Sequence, residues 1–481
     1  MHTESLIKWQ NTIDKPEPQA CALCNSINTT HQLNVKYEND IFLSVYKCNK
    51  CNSRFYPEIF ESRGVEYYSD NLEHKNFQKY YIQVGAGISF IIEIINRIPE
   101  KNIESFIDIG CSVGFSVDYV KNHLNKKAVG IEPSDYGRTG SRLFSTTIYN
   151  NLIQNEPNLF NKTFSVIFSS EVLEHVFDPH EFLKLLINHL NNDGILILTT
   201  PNAEYIEPIH PENQVYSALF PGEHKILFSK KTLHQALTMA GFSHINLDYS
   251  NSKNLIAYAS RQPLTLTKGN DSHYAQYLTS RLNMKDTPSL VSEAYRSRLL
   301  MYLVENKKFD EVSNILDHIY SDIGINKNNI PEELDYVKSI NDFINYGDFC
   351  SYMLGPTLYY LAFYEQKIIK NNKVALPLSK LALDIITKEI SLGNHFFQIS
   401  QELYPRAALQ HIQLLSVKNN IDWQLLLEDF ITKHNSGMNS KTRNKFLKEM
   451  KRSKGGYLKV LFSSRRKSLI LKLIFNKILH K

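Results

Sequence analysis

Hydrophobic positions between residues 76 and 260 follow two alternating patterns. Short apolar runs alternate with segments in which apolar residues recur every three or four positions. The first pattern predicts buried strands, and the second predicts helices packed on them. We therefore expect an α/β domain with a mostly parallel sheet covered by helices. The predicted strands are ESFIDIG, KAVGIEP, STTIYN, FSVIFSS and GILILTT.

The last two apolar segments of this region predict a different kind of strand pair. HINLDYS (244–250) and NLIAYAS (254–260) flank an Asn-Ser-Lys turn, which is typical of a β-hairpin. A helix is predicted before them, near residues 230–240. The sheet is therefore expected to be parallel with an antiparallel hairpin at one edge.

The remainder of the chain shows no strand pattern after residue 265. Apolar residues at three- and four-residue spacing predict an all-α domain there. At 481 residues the chain is also too long for one hydrophobic core. We predict four parts: a cysteine module at 1–60, the α/β domain at 61–262, an α-helical domain at 263–440 and a basic tail at 441–481.

Four cysteines form two C-x-x-C pairs near the start of the chain. Cys21 and Cys24 are separated by 23 residues from Cys48 and Cys51, and an alternating segment, IFLSVYKC, leads into the second pair. Four thiolates on two turns can close a tetrahedral zinc site that leaves no position for a reacting water. The spacing predicts a zinc ribbon with a structural Zn²⁺, and redox-active pairs are the alternative.

Composition indicates a folded protein of a reducing compartment. Hydrophobic residues make up 42% of the chain and charged residues 21%, which excludes wholesale disorder. No apolar leader follows Met1, and no apolar run approaches the roughly 20 residues of a membrane span. Six cysteines in this length do not indicate a disulfide framework. We expect a cytoplasmic protein.

The net charge of +5 is unevenly distributed. Residues 441–481 carry 14 Lys or Arg against the single Glu449, so they sum to +13 and the rest of the chain sums to −8. The final segment, 465–481, separates basic from apolar positions at helical spacing. Such a helix can rest on an anionic membrane surface. Docking on the preceding domain is an equal alternative, and nucleic-acid binding is a third.

The stretch FIDIGCSVGFSVDYV (106–120) passes from an apolar strand through two glycines into a helix. Such a turn points unpaired helix N–H groups at a ligand across the strand's carboxyl end. The next strand ends in Glu132, 22 residues beyond Gly110, where a carboxylate can accept hydrogen bonds from both hydroxyls of a ribose. A nucleoside-like ligand is predicted, and an NAD-binding domain remains an alternative.

Two further segments, FSVIFSSEVLEHVFDP (164–179) and DGILILTTPN (193–202), complete a resemblance. Over roughly 185 residues the chain resembles the class I S-adenosylmethionine-dependent methyltransferases. The resemblance implies their Rossmann-like sheet and their cofactor. It also implies that the glycine turn contacts the cofactor's methionine part, the acid its ribose, and the fourth strand end its donor end. The residues implied for the methionine part are Asp108, Gly110, Cys111 and Gly114. Glu132 is implied for the ribose, and Ser169 and Ser170 for the donor end.

Two positions depart from the family's pattern. Ser112 stands where the turn often has a glycine, and Ser165 stands where the fourth strand usually begins with an aspartate. Neither change removes a group that the reaction needs.

A four-cysteine module ahead of such a domain is similar to bacterial enzymes that methylate sugars on carbon or oxygen. The carbon-methylating group has a Glu-His pair after the fifth strand, and PGEHKILFS supplies Glu223 and His224 in the matching loop. The aromatic residues expected before the pair are replaced by LFPG, so the match is partial. Since imidazole titrates near neutral pH, the candidate bases are His224, Glu223 and His175. Residues 201–228 are expected to form a wall of the acceptor site.

Three functions are compatible with these patterns. The first is methylation of a sugar, as a nucleotide sugar or a lipid-linked glycan of surface polysaccharide biosynthesis. The second is RNA methylation, prompted by the cysteine module and the basic tail. It is disfavoured because SSEVLEH stands where base-methylating enzymes commonly have an N-P-P-Y type segment. The third is a non-catalytic cofactor-binding scaffold whose helical domain binds a protein partner.

Overall fold

The computed structural model describes residues 5–10, 17–37, 41–57, 72–85, 87–248, 253–269, 272–393 and 396–419. These residues fall into two compact units, divided between Tyr295 and Arg296. The basic tail at 441–481 lies outside the described residues, so its predicted helix stays a prediction. The four-part division of the chain likewise stays a prediction.

The described residues contain strands in the first unit and helices in both. The strands are β1 (Ile7–Trp9), β2 (Thr29–Lys36), β3 (Phe42–Cys48), β4 (Arg54–Phe55), β5 (Ser105–Ile109), β6 (Lys127–Ile131), β7 (Thr147–Tyr149), β8 (Phe164–Ser170), β9 (Leu190–Pro201), β10 (Ile226–Leu227), β11 (His244–Asp248) and β12 (Asn254–Ser260). The helices are α1 (Leu72–Val84), α2 (Ile88–Ile95), α3 (Phe115–Asp118), α4 (Asp135–Phe144), α5 (Pro179–Asn188), α6 (Glu212–Leu219), α7 (Lys230–Met239), α8 (Ser272–Leu282), α9 (Ser289–Glu305), α10 (Phe309–Val312), α11 (Leu316–Asp322), α12 (Asp335–Lys338), α13 (Phe343–Phe349), α14 (Leu354–Tyr364), α15 (Asn372–Leu392) and α16 (Gln398–Asn419).

The larger sheet has seven strands in the order β11-β12-β9-β8-β5-β6-β7. Strands β5 to β9 are parallel, and β11 and β12 add an antiparallel hairpin at one edge. The predicted α/β sheet and its closing hairpin are therefore confirmed. Strands β6 and β8 pair with opposite sides of β5. The carboxyl ends of these three strands therefore border a crevice suited to a ligand.

The smaller sheet has five strands in the order β1-β2-β3-β4-β10, and its pairs are antiparallel. Four strands come from the cysteine module, but β10 comes from the α/β domain. Ile226 pairs with Phe55, and Leu227 pairs with Arg54. The sequence did not predict this shared strand, because two residues are too few to show an alternating pattern.

Residues 202–229 are held against the cysteine module by buried polar contacts. The fully buried guanidinium of Arg54 donates to Glu207 Oε1 over 2.8 Å and to Gln32 Oε1 over 2.9 Å. The hydroxyl of Tyr56 donates to the Leu219 carbonyl over 2.9 Å. Since these contacts and strand β10 lie on both sides of residue 224, the module fixes the loop that carries His224.

A second buried network ties α8 to the end of α3. Asp118 is completely buried and accepts a hydrogen bond from the hydroxyl of Tyr277. Arg281 Nε lies 3.3 Å from Asp118 Oδ2, and Tyr295 shares a 2.7 Å hydrogen bond with Tyr277. The ion pair and the tyrosines compensate for the burial of the carboxylate.

The described residues of the second unit are helical, as predicted. Its longest helices, α15 and α16, pack with α14 around buried leucines and isoleucines. The buried carboxylate of Glu389 accepts hydrogen bonds from Tyr346 Oη at 2.6 Å, from the Gly355 N–H at 3.0 Å and from the Ser400 hydroxyl. Across the described part of the chain, no helix combines the length and apolarity needed to cross a bilayer.

Candidate active site

The turn after β5 is built on two glycines in the left-handed region, Gly110 and Gly114, each with φ near +78°. A Cβ atom on Gly110 would lie 2.5 Å from Val172 Cγ2, and one on Gly114 would lie 2.7 Å from Ile148 Cδ1. Both positions therefore exclude a side chain by backbone conformation and by space. The result is a bare backbone turn at the mouth of the crevice.

Cys111 contributes backbone rather than thiol to this turn. Its N–H donates to the Ile131 carbonyl over 3.0 Å, and its buried Sγ packs where a side chain on Gly130 would lie. The thiol is thus used in packing against β6. Any cofactor contact of Cys111 would come from its peptide group.

Glu132 ends β6 with its carboxylate turned toward the glycine turn. Its Oε2 accepts the Ser112 N–H over 2.9 Å, and its Oε1 accepts the Ser134 N–H over 3.0 Å. Each oxygen keeps lone pairs for further donors, such as a ribose diol. Ser112 has φ near +50°, which explains why a glycine often occupies this position in related turns.

Asp108 lies beneath the turn with one oxygen unused. Its Oδ2 accepts a hydrogen bond from the Ser116 hydroxyl, whereas its buried Oδ1 has no partner among the described residues. Burial raises the pKa of Asp108 to about 7, and the nearby negative charge of Glu132 adds to the rise. A buried carboxylate with a free oxygen fits a cationic ligand group, such as an α-ammonium.

Tyr81 of α1 was not identified from the sequence. Its ring stacks on Phe115 with the ring centroids 6.3 Å apart, and it meets the edge of Tyr136 at 5.7 Å. Burial raises the pKa of Tyr81, so the phenol stays neutral. The aromatic pair Tyr80-Tyr81 before the first predicted strand was the available signal.

The end of β8 directs its two serines to different partners. The hydroxyl of Ser169 is buried and donates to the Ile109 carbonyl over 3.4 Å, so it bridges neighbouring strands. The hydroxyl of Ser170 lies 2.7 Å from that of Thr199, which in turn donates to Glu171 Oε1 over 2.9 Å. Only Ser170 therefore belongs to a polar chain that continues along the edge of the sheet.

Of the three candidate bases, the structure brings the two histidines together. The ring centroids of His175 and His224 are 4.6 Å apart. Nδ1 of His224 donates to the Ala218 carbonyl over 2.8 Å, while Nε2 lies 3.7 Å from Glu174 Oε1. The backbone carbonyl of Glu223 lies near the ring of His175 and partly offsets the effect of burial on its pKa. The carboxylate facing His224 is thus that of Glu174.

Both imidazoles are neutral at physiological pH. Burial lowers the pKa of His175 to about 4 and that of His224 to about 3. Burial, reinforced by the charge of Glu171, raises the pKa of Glu174. Glu171 and Glu174 were not predicted, because Glu223 is the acidic residue next to His224 in the sequence. Their three-residue spacing in EVLEH was the signal that could have identified them.

The four predicted zinc ligands converge in the cysteine module. Their Sγ atoms lie within 4.8 Å of one another, and Cys21 to Cys51 and Cys24 to Cys48 are each 3.6 Å apart. Sulfurs on a tetrahedron with Zn–S bonds of about 2.3 Å lie about 3.8 Å apart, so the residues fit the metal. The Ser53 hydroxyl lies within 3.3 Å of two of the sulfurs, as an outer-shell partner would.

The two C-x-x-C pairs have matching backbone geometry. The N–H of Asn25 donates to the Cys21 carbonyl, and the N–H of Asn52 donates to the Cys48 carbonyl, each over 2.9 Å. Both asparagines have positive φ, near +53° and +65°. Asparagine tolerates this region, which lets each turn bring its two thiols together.

The strand order, the bare glycine turn and the acid at the end of β6 define a class I S-adenosylmethionine-dependent methyltransferase domain. In agreement, residues 81–247 match the family described as methyltransferase domain. The chain is also 24% identical, over 225 residues, to the ubiquinone biosynthesis O-methyltransferase of Rickettsia typhi. That match covers 41% of this chain and 81% of the relative.

Solved structures of methyltransferases are also similar to part of this chain. A possible histamine N-methyltransferase from Thermotoga maritima is 17% identical, with a TM-score of 0.32; the match covers 39% of this chain and 95% of that one. The plantazolicin methyltransferase BpumL in complex with SAH is 16% identical, with a TM-score of 0.33. Here the match covers 41% of this chain and 92% of that one.

Proposed function

We propose that this protein methylates a sugar, as a nucleotide sugar or a lipid-linked glycan in the biosynthesis of a surface polysaccharide. The observation that supports methyl transfer is the pairing of the bare turn at Gly110 with the carboxylate of Glu132 at the adjacent strand end. S-adenosylmethionine would supply a methyl group that is activated by its positively charged sulfonium. Transfer of this methyl group leaves a neutral thioether sulfur in S-adenosylhomocysteine.

The chain's own residues would hold this cofactor by complementary charge and shape. Gly110 and Gly114 let the backbone approach it closely, and the free lone pairs of Glu132 accept the ribose hydroxyls. The unpartnered Oδ1 of Asp108 attracts the α-ammonium of the methionine part. The ring of Tyr81, stacked on Phe115, closes the turn from the side of α1.

The acceptor assignment rests on the cysteine module and on the polar edge at the carboxyl ends of β8 and β9. Hydroxyl-rich ligands suit this edge, because the carboxylate of Glu171, oriented by the buried hydroxyl of Thr199, can accept further hydrogen bonds of fixed direction. The protein must hold the acceptor in line with the carbon–sulfur bond and remove its proton. We place this removal where His175, Glu223 and His224 lie. Methylation on oxygen and on carbon are both compatible with this edge.

We further propose that the four cysteines bind a structural Zn²⁺. Binding of the two C-x-x-C pairs to one metal ion would make β3 and β4 more rigid. Strand β4 pairs with both β3 and β10. The zinc would thereby stabilise the loop that presents His224 to the acceptor edge.

Two partners remain proposals. Residues 465–481, which lie outside the described residues, would rest on an anionic membrane surface and bring the enzyme close to a lipid-linked acceptor. This would make the protein cytoplasmic and peripheral to the membrane. The helical unit would bind a protein partner.

The test is incubation of the purified protein with S-adenosylmethionine and a panel of nucleotide sugars and lipid-linked glycans. Release of S-adenosylhomocysteine together with a methylated sugar in the mass spectrum is expected. At a cofactor concentration that does not saturate the enzyme, the Glu132→Ala variant should give much less of both products. Turnover with RNA alone, or cofactor binding without turnover on the sugar panel, would contradict the assignment.

A further inference from the structure

A second group of potential metal ligands lies at the end of β8, apart from the four cysteines. Glu174, His175 and His224 each offer one ligand atom, and these atoms lie within 4.8 Å of one another. Two of the residues come from the EVLEH turn and one from the loop before β10. The fold therefore brings together two imidazoles and one carboxylate.

The imidazole of His224 has one nitrogen already fixed by a backbone carbonyl, because its Nδ1 donates to Ala218 over 2.8 Å. Its Nε2 consequently carries a lone pair. The neutral ring of His175, near the backbone carbonyl of Glu223, carries a lone pair on one of its nitrogens as well. Metal-binding histidines are commonly oriented in this way, with the outer N–H on a carbonyl or carboxylate.

Glu174 supplies an independent observation. Its side chain is completely buried, Oε2 accepts the Thr200 hydroxyl over 2.9 Å, and Oε1 has no hydrogen-bond partner among the described residues. That oxygen points toward His224 Nε2, yet the separation of 3.7 Å is too long for a hydrogen bond. A buried carboxylate oxygen facing two lone-pair nitrogens is unfavourable unless the carboxyl group is protonated or a metal cation lies among them.

We propose that Glu174, His175 and His224 bind a divalent transition metal ion, such as Mn²⁺, Fe²⁺, Co²⁺ or Zn²⁺. Imidazole and carboxylate ligands suit these ions, and three protein ligands leave coordination positions open. The carboxylate of Glu171, held by Thr199 and by Asn254 at 3.2 Å, adds negative charge beside the site. This ligand set differs from the all-sulfur set of the cysteine module.

The position of the site gives it a role in acceptor binding, and this part rests on the proposed function. Val172 lies between Glu171 and Glu174 in sequence and packs against Gly110, so the cluster shares one edge of the sheet with the cofactor turn. Open coordination positions favour an acceptor with adjacent hydroxyl oxygens. With both imidazoles serving as ligands, Glu223 is left as the protein's proton acceptor among the three candidates.

Manganese binding tests the site without cofactor or acceptor, so its outcome is separate from that of the proposed function. The purified full chain is titrated with MnCl₂, and free Mn²⁺ is followed by electron paramagnetic resonance. We expect one bound Mn²⁺ per chain, lost in Glu174→Gln and in His224→Ala. The exposed His234 gives the matched control, and His234→Ala should bind as the unaltered chain does.

A second measurement needs no variant and covers the case in which a buried substitution prevents folding. Pulsed electron paramagnetic resonance of Mn²⁺ on the unaltered chain should show nitrogen couplings from imidazole. Mn²⁺ should also raise the melting temperature of the unaltered chain. Absence of bound Mn²⁺, absence of nitrogen coupling, or full binding by well-folded Glu174→Gln would overturn the proposal.

Discussion

Val172 lies so close to Gly110 that a methyl group on the glycine would come within 2.5 Å of the valine Cγ2 atom. The cofactor turn and the EVLEH segment are therefore packed as one unit, without room for adjustment between them. A substitution in either segment should therefore also affect the other.

Gly110→Ala should weaken S-adenosylmethionine binding at least about tenfold. The new Cβ collides with Val172, and φ near +78° is unfavourable for alanine, so the turn must shift. Calorimetry measures the affinity. Gly324→Ala is the control, because Gly324 has φ near +65° but nothing within 4 Å of its Cβ position. Equal affinity of Gly110→Ala and the unaltered chain would contradict the assigned turn.

Glu132→Ala should reduce cofactor affinity roughly 10- to 100-fold, the range for losing hydrogen bonds to a charged acceptor. The carboxylate orients the turn through the Ser112 and Ser134 N–H groups and is the proposed ribose acceptor. Calorimetry with S-adenosylhomocysteine reports the change, since this product carries the same ribose. The exposed Glu104, changed to alanine, should leave the affinity unaltered. An unchanged affinity in Glu132→Ala would remove the ribose assignment.

Cofactor affinity should rise with pH between about 6 and 8. The pKa of Asp108 is raised to about 7, so its carboxyl group becomes ionised as the pH increases through that value. An ionised Asp108 attracts the cationic cofactor, and a protonated one does not. Calorimetric titrations across this range should show the rise in the unaltered chain and lose it in Asp108→Asn. A rise of the same size in the variant would assign it to another group.

Removing zinc should destabilise the first unit. We expect one Zn²⁺ per chain by elemental analysis, and a lower melting temperature after treatment with a strong chelator. Cys51→Ala should lose the metal, whereas Cys350→Ala, which changes a buried cysteine of the second unit, should retain it. Full zinc content in Cys51→Ala would show that the four cysteines do not form the site.

Arg281→Met should lower the free energy of unfolding by roughly 3 kcal/mol, since it leaves the buried carboxylate of Asp118 without its cation. Urea denaturation followed by circular dichroism measures the loss. Lys285→Met, an exposed change on the same stretch of chain, should have little effect. If both variants unfold like the unaltered chain, Arg281 does not compensate Asp118.

Much of the α/β domain could be predicted because its signals are local. Strands β5, β6 and β8 are short apolar runs buried on both faces, and the glycine turn and Glu132 follow them directly. The position of β10 could not be predicted in this way. Its pairing with β4 joins residues about 170 positions apart, and it depends on Arg54, whose burial no sequence pattern indicates.

On the acceptor side of the site, the partner of His224 could not be predicted from its neighbours in the sequence. Glu223 and His224 are adjacent in sequence, yet the carboxylate that faces the imidazole of His224 belongs to Glu174. Successive residues in a turn point in different directions, so adjacency did not indicate contact. Ser165 stands where the family usually has an aspartate. Its hydroxyl accepts hydrogen bonds from the N–H groups of residues 104 and 105 and donates one to the carbonyl of Ser105.

The strand that β10 contributes to the module's sheet bears on how this enzyme can be dissected. A shortened version starting at Leu72 would keep the whole seven-stranded sheet but leave Ile226 and Leu227 as an unpaired edge. The loop that carries His224 would also lose its contacts with Arg54 and Tyr56. The cysteine module therefore cannot simply be transferred to another protein. A different catalytic domain would have to supply a strand that pairs with β4 as β10 does.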